Sequence, residues 1–504
     1  MFGRPRVSRS SSALTRHWQR GDEAAGSGRL GRFAWYLIVV SLLIIGLKPL
    51  LDIPGKKVPY DTVDAGMIAT TIGAGLMGLA LLLLFVVHRG VPARLLPVVV
   101  ALVGLGLLSV VDLLLVPARD GFLQQFEVDG LRDIFGSYVP PTKGTITQAA
   151  QLVVGFAPVA LLVAMVFTPH WFPAERIRQV LLLVLLGTAV HCLIAWLQVA
   201  GVVPYTFFFK LPGGNIGRAS GGYFHPASLG RLLIFGVFLI YAVGARLRFR
   251  LPARLGLIVL LVGTTFVTTH RLTLLCVGLV IAAMELRRLP QLLAWLRGLP
   301  LRVAVPGAVL VLAAVVVLLV IWGDFLWRRV AFLLTQVGSL DVTDKDFMRG
   351  RGEIWAAIAD AWGHAPLDVW LYGLGYEPWN THSDPVRIFV VWGLFGVVLM
   401  SVLFVTLWRA TRPLLDAEGR WALGVLYVAT AFFALTQKPT SYSYYMWLFL
   451  FAHLLLVVVR PRRVEPAGAG HGTTPHDPDR PPTPPPTRPG PVRTAPGVYR
   501  SEGY

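Results

Sequence analysis

From Phe33 to Val459 the chain alternates between long apolar runs and short polar connections. A helix must carry about 20 apolar residues to cross the hydrocarbon core of a bilayer, and the runs have that character. They predict spans at 33–51, 67–87, 95–117, 149–168, 179–201, 226–245, 253–268, 272–286, 303–323, 386–408, 421–436 and 442–459. The seventh and eighth are short and meet at Thr268-Thr269-His270-Arg271. That segment reads either as two tilted helices with a tight turn or as one re-entrant hairpin. The expected fold is therefore all-α: a polytopic membrane protein of about 12 transmembrane helices with a large extracytoplasmic loop.

Composition agrees with this pattern. Hydrophobic residues make up 55% of the 504 positions and charged ones 14%, against about 25% charged in a soluble protein. A formal net charge of +19 would ordinarily suggest nucleic acid, but its distribution points to a membrane. Arg246, Arg248, Arg250 and Arg254, and again Arg287, Arg288, Arg297 and Arg302, flank spans on one side, as cytoplasmic anchors beside anionic headgroups do. This predicts a cytoplasmic-membrane location with both termini inside and no nucleic-acid partner. Cys192 and Cys276 fall within spans, too few for a disulfide framework or a cysteine metal site. Arg231 and Asp112 stand out as charges inside spans, and Asp112 is one candidate mate for Arg231.

Three parts follow. Residues 1–32 form a basic, Ser-rich tail that enters the first span without a small-residue cleavage pattern. Residues 33–460 form the membrane domain. Residues 461–504 include Pro481-Pro482-Thr483-Pro484-Pro485-Pro486, a composition that buries no core and predicts a disordered inner tail. The outer segments long enough to carry function are 118–148, 202–225 and 324–385. The last contains a helical pattern around Arg349–Ala361, a turn at Gly373-Leu374-Gly375-Tyr376, and Trp379-Asn380-Thr381-His382-Ser383 running into the next span.

Arginines near the outer ends of spans call for partners, because an unpaired guanidinium at the hydrocarbon boundary is expensive. Arg218, Arg231, Arg271 and Arg351 are the candidates. Arg218 lies in Gly217-Arg218-Ala219-Ser220-Gly221-Gly222-Tyr223-Phe224-His225-Pro226. There the glycines would let the backbone approach a ligand, and Pro226 starts a helix. Arg271 opens a span, where its charge adds to the positive helix end. Each alone also reads as a snorkelling side chain or as the partner of an outer acid such as Asp384 or Glu353. His382 is a candidate general base: guanidinium charges nearby would hold its ring neutral. His225 and His364 do not fall in metal-ligand spacing with it, so no metal is expected, and no Gly-rich nucleotide loop follows a strand, so no cofactor is expected either.

Taken in order, Arg218-x-x-Gly221 before a span, Thr269-x-Arg271 between two short spans, Gly373-x-Gly375 and His382 in a large loop, and Trp392-Gly393-Leu394-Phe395-Gly396 in the next helix resemble the O-antigen ligase/polymerase superfamily. The likeness covers roughly the fourth to the tenth span. It implies a membrane glycosyltransferase that takes glycan from an undecaprenyl-diphosphate-type carrier on the outer face and joins it to the hydroxyl of a lipid, protein or wall-glycan acceptor. Arg218 and Arg271 would then hold the diphosphate, with Arg349 or Arg351 adding a contact, and His382 would deprotonate the acceptor for an inverting, metal-independent attack. The family commonly has Asn where this chain has His225, and Asn where it has Ser383. His225 thereby becomes a second candidate base or a phosphate contact. A polymerase of lipid-linked repeats shares the same motifs, and a transporter or flippase of a lipid-linked anion would also place arginines in a membrane cavity.

Overall fold

The computed structural model describes residues 28–53, 65–115, 119, 141–208, 218–223, 225–291, 351–378 and 380–461, with scattered positions between 294 and 327. Residues 1–27 and 462–504 of the two tails, the span expected at 303–323 (apart from isolated helical positions), Gly217, Arg349 and Trp379 lie outside the described residues, as do the side chains of Arg351 and Glu353.

The described chain is helical. In order, its helices are α1 (Arg29–Leu51), α2 (Ala65–His88), α3 (Leu96–Leu115), α4 (Pro141–Phe156), α5 (Val159–Phe167), α6 (Ala174–Val199), α7 (Pro226–Val243), α8 (Leu251–Val267), α9 (Arg271–Leu286), α10 (Arg351–Gly363), α11 (Leu367–Tyr372), α12 (Asp384–Thr411), α13 (Ala417–Ala434) and α14 (Ser443–Val459). Among the described residues no strand is present beyond an isolated bridge between Leu415 and Pro461. Among the described residues, seven segments are long and apolar enough to cross a membrane: α1, α2, α3, the α4–α5 pair, α6, α7 and α12 with the turn after it.

Burial follows sequence. The run in α14, from Tyr445 to Val457, is apolar apart from His453 and buried throughout, as expected of a helix with no polar face. Helices α4, α5 and α7 pack around it. Helix α1 lies between α2 and α6, and α3 lies along α12. The segment around Thr268 resolves into separate helices, α8 of 17 residues and α9 of 16, both packed on α7.

Two helices are broken. The fourth span parts at Ala157-Pro158 between α4 and α5, where proline removes a backbone donor. Helix α12 carries a non-helical residue, Gly393, at φ 59° and ψ −157°. The turn Gly373-Leu374-Gly375 docks at that break: Leu374 N donates to Val390 O and Gly375 N to Val391 O, each at 2.8 Å. Two motifs that read as separate in the sequence are thus one structural joint. It fixes the start of the loop that carries His382.

The structure also corrects the expected partner of Arg231. Asp112 lies 3.6 Å from Arg119, which in turn reaches Asp368 at 3.3 Å, so its mate is Arg119. Lys48, Asp384 and Arg387 join Arg231 and Asp112 as charges carried within helices.

Candidate functional site

One end of the bundle gathers the start of α7, the turn between α8 and α9, the start of α12, the 3-10 turn Pro439–Ser441 and the end of α1. Arg218 is held there by Thr269, in the α8–α9 turn. Its Nε donates to Thr269 Oγ1 at 3.0 Å and its Nη2 to Thr269 O at 3.1 Å. Thr269 has φ 50°, a left-handed conformation rare for a β-branched residue and a sign of local strain. The guanidinium fork thus clamps the turn from which α9 departs.

Two of the helices that start here, α7 and α9, are capped by histidine. His225 precedes Pro226 and its Nδ1 accepts from Ala227 N at 3.0 Å. His270 precedes Arg271; its Nδ1 accepts from Thr273 N at 3.3 Å and lies 2.8 Å from the Thr273 hydroxyl. The two rings stand edge to face, 6.2 Å apart. Burial, then the charges of Arg218 and Arg231, push His225 down to about 4. It is therefore neutral near pH 7, with Nδ1 engaged by the backbone and the proton on Nε2. A ring in that state donates a hydrogen bond and is poorly suited to take a proton. This weighs against His225 as a base and leaves the phosphate-contact alternative.

Of the glycines after Arg218, Gly221 meets the bundle itself. Gly221 has φ 62°, and a Cβ there would lie 2.6 Å from His191 O. His191 lies with Nδ1 2.5 Å from Gly221 O and Nε2 2.7 Å from Pro49 O. Gln198 Oε1 accepts from Ser220 N and Gly221 N, both at 3.0 Å. The close approach is therefore to α6 of the same chain, and it anchors the Arg218 segment on the bundle.

Arg231 lies about a turn and a half into α7, its Cζ 3.1 Å from the centre of the Tyr442 ring. Tyr223 OH donates to Asp52 Oδ2 at 3.2 Å, and Asp52 also pairs with Lys48. Burial, then the Asp52 carboxylate, push the Tyr223 hydroxyl well above its ordinary value, so it stays a donor.

His382 reaches the same end by another route. Its φ is 53°, and its N–H donates to Asn380 Oδ1 at 3.2 Å. Preceding it, Thr381 donates to Glu377 Oε1 through N at 2.8 Å and through Oγ1 at 2.9 Å, while Thr381 O accepts from Trp355 Nε1 at 2.9 Å. Glu377 also receives Lys438 Nζ at 2.8 Å. After it, Asp384 accepts from Arg387 Nε at 3.0 Å, from Thr440 Oγ1 at 2.7 Å and from Thr440 N at 2.9 Å. Arg387 donates onward to Gln148 Oε1 at 2.5 Å and to Thr440 Oγ1. Thr440 and Tyr442 belong to one short turn, so the His382 loop and Arg231 rest on the same piece of backbone.

The structure thus brings Arg218, His225, Arg231 and the start of α9 with Arg271 together, and ties the His382 loop to them through Thr440 and Tyr442. Arg351 opens α10, before the His382 loop. Sequence reasoning missed Asp52, Tyr223, Glu377, Lys438, Thr440 and Tyr442. The polar run Gln437-Lys438-Pro439-Thr440-Ser441-Tyr442 between the last two spans was the available signal. Among the described residues no three His, Cys, Asp or Glu side chains converge as a metal-holding group. No protein-family model and no curated protein match the chain.

Proposed function

We propose that the chain is a membrane glycosyltransferase of the O-antigen ligase type, acting at the outer face of the cytoplasmic membrane with both termini inside. The observation that carries the reading is the clamp of Arg218 on Thr269. It sets one guanidinium on the turn from which α9, opened by Arg271, departs, within electrostatic reach of a neutral, proton-donating His225. Clustered guanidinium forks and helix N-termini suit the oxygens of a diphosphate.

In this reaction the acceptor oxygen attacks the anomeric carbon, its proton passes to His382, and the bond from that carbon to the diphosphate oxygen breaks with inversion. The charge that develops on the departing polyprenyl diphosphate is what Arg218, Arg271 and Arg231 would stabilise. The acceptor is a hydroxyl of a lipid, a protein or a wall glycan, or, in a polymerase, another carrier-linked repeat. The breaks at Ala157-Pro158 and Gly393 favour one second reading, a transporter of a lipid-linked anion, because transporters build sites from interrupted helices.

The test is a reconstituted assay with purified protein, a polyprenyl-diphosphate-linked oligosaccharide, candidate acceptors and a chelator. Transfer by wild type and its loss in His382→Ala support the reading. Movement of donor across the vesicle membrane with no transfer to any acceptor would instead support the transporter.

A further inference from the structure

The opposite end of the bundle holds a cavity of about 440 Å³ between α9, α12 and α13. Its walls are apolar, with Trp408 on α12 and Trp421 on α13, and its rim carries Arg287, Arg412 and Arg420. Val428, on the same wall, is exposed, so the cavity opens to the side of the bundle. Two rim arginines are held in place by backbone: Arg287 Nη1 donates to Ala417 O at 2.6 Å and Arg420 Nη1 to Leu415 O at 3.2 Å.

The acids of this end are taken by other arginines. Asp416 pairs with Arg246 at 3.5 Å and with Arg460 at 3.9 Å, Glu418 pairs with Arg460, and Glu285 pairs with Arg288 at 3.0 Å. Among the described residues, no ion pair reaches Arg287, Arg412 or Arg420. An apolar slot facing the bilayer, edged by tryptophans and ending in unmatched guanidinium groups, has the charge and polarity pattern of one anionic phospholipid.

We infer that this groove binds an anionic phospholipid of the surrounding bilayer, its acyl chain along α13 and its phosphate between Arg287, Arg412 and Arg420. The site is separate from the reaction proposed above and stands without it.

Native mass spectrometry of the purified full chain, with phosphatidylglycerol and phosphatidylcholine as probes, tests it. A basic residue near a headgroup contributes about 1 kcal/mol, so the wild type should retain one phosphatidylglycerol with about 100-fold preference. Arg412→Gln, an exposed position whose loss leaves the fold intact, should reduce that preference about fivefold, and the three glutamine substitutions together should abolish it. Gly424→Phe, which fills the groove beside Trp408, should expel the lipid with every arginine in place. Equal retention of the two lipids, or a preference unchanged by Arg412→Gln and Gly424→Phe, overturns the inference. Disulfide-linked dimers formed through Gly424→Cys would also overturn it, by showing that a second copy of the chain fills the groove.

Discussion

Gly373 and Gly393 meet backbone to backbone. A Cβ on Gly373 would lie 2.5 Å from Val391 O and 2.6 Å from Gly393 N, and a Cβ on Gly393 would lie 2.5 Å from Leu371 O. Both residues have positive φ, 79° and 59°. The break in α12 and the turn that docks into it therefore require glycine twice over, for conformation and for space. Gly393→Ala should lose about 1–3 kcal/mol through backbone strain and a comparable amount through overpacking. Thermal unfolding in detergent measures this. Gly424→Ala is the control, because its Cβ would make only ordinary contact with Trp408 at 3.7 Å.

The Asp384–Arg387 pair is buried, with side-chain exposures of 3% and 1%. Removing one partner leaves the other charge uncompensated, a loss of about 3–5 kcal/mol. Arg387→Leu should lower the unfolding temperature sharply, whereas the double change Asp384→Asn with Arg387→Leu should recover part of the loss. A double variant no more stable than Arg387→Leu would show that Thr440 and Gln148, rather than the ion pair, hold the turn.

Arg218 presents a planar fork to Thr269, and lysine retains its charge without that geometry. Arg218→Ala should weaken binding of a polyprenyl diphosphate by the worth of a charge-assisted hydrogen bond, about 1.5–3 kcal/mol, and Arg218→Lys should restore it only in part. Arg271→Ala should act in the same direction. Equilibrium binding of labelled donor reads all three, and unchanged affinity in both alanine variants would remove the diphosphate site.

On the reading of His382 as base, His382→Ala should leave donor affinity unchanged while kcat falls by about 100- to 10,000-fold, the usual range for a lost general base. A parallel loss of donor binding would assign the residue to the loop's architecture instead.

His225 adds a dependence on pH. Its folded value is pushed down to about 4, against about 6.5 for an unperturbed histidine. Between these the unfolded chain binds more protons, so stability rises with pH across the window. The contribution is complete above about 6.5 and is lost as pH falls toward 4. His225→Asn keeps an acceptor for Ala227 N, asparagine being a favoured N-cap. The unfolding temperature of wild type should therefore fall relative to that of this variant as pH drops from about 6.5 to 4.5. A difference constant with pH would show that His225 does not titrate in this way.

Long apolar runs bounded by charge were legible because a bilayer demands them, and α1, α2, α3, α6, α7 and α12 follow from that demand alone. Helix starts were legible where their chemistry is local: Pro226 after His225, and Pro385 after Asp384. What no local pattern announces is which ends meet. Arg387 and Gln148 are 239 positions apart and Tyr223 and Asp52 are 171 apart, so their contacts exist only once the helices have packed. The glycines near Arg218 read as room for a ligand, and Gly221 makes room for α6, because close backbone approach looks the same in sequence whatever it approaches. Arg231 read as needing an acid and found the ring of Tyr442. The sequence determined the helical character of the described residues, their suitability for a membrane and most of the charged candidates. The packing of helices decided their partners, because a side chain's neighbours at a helix end are set by elements remote in the chain.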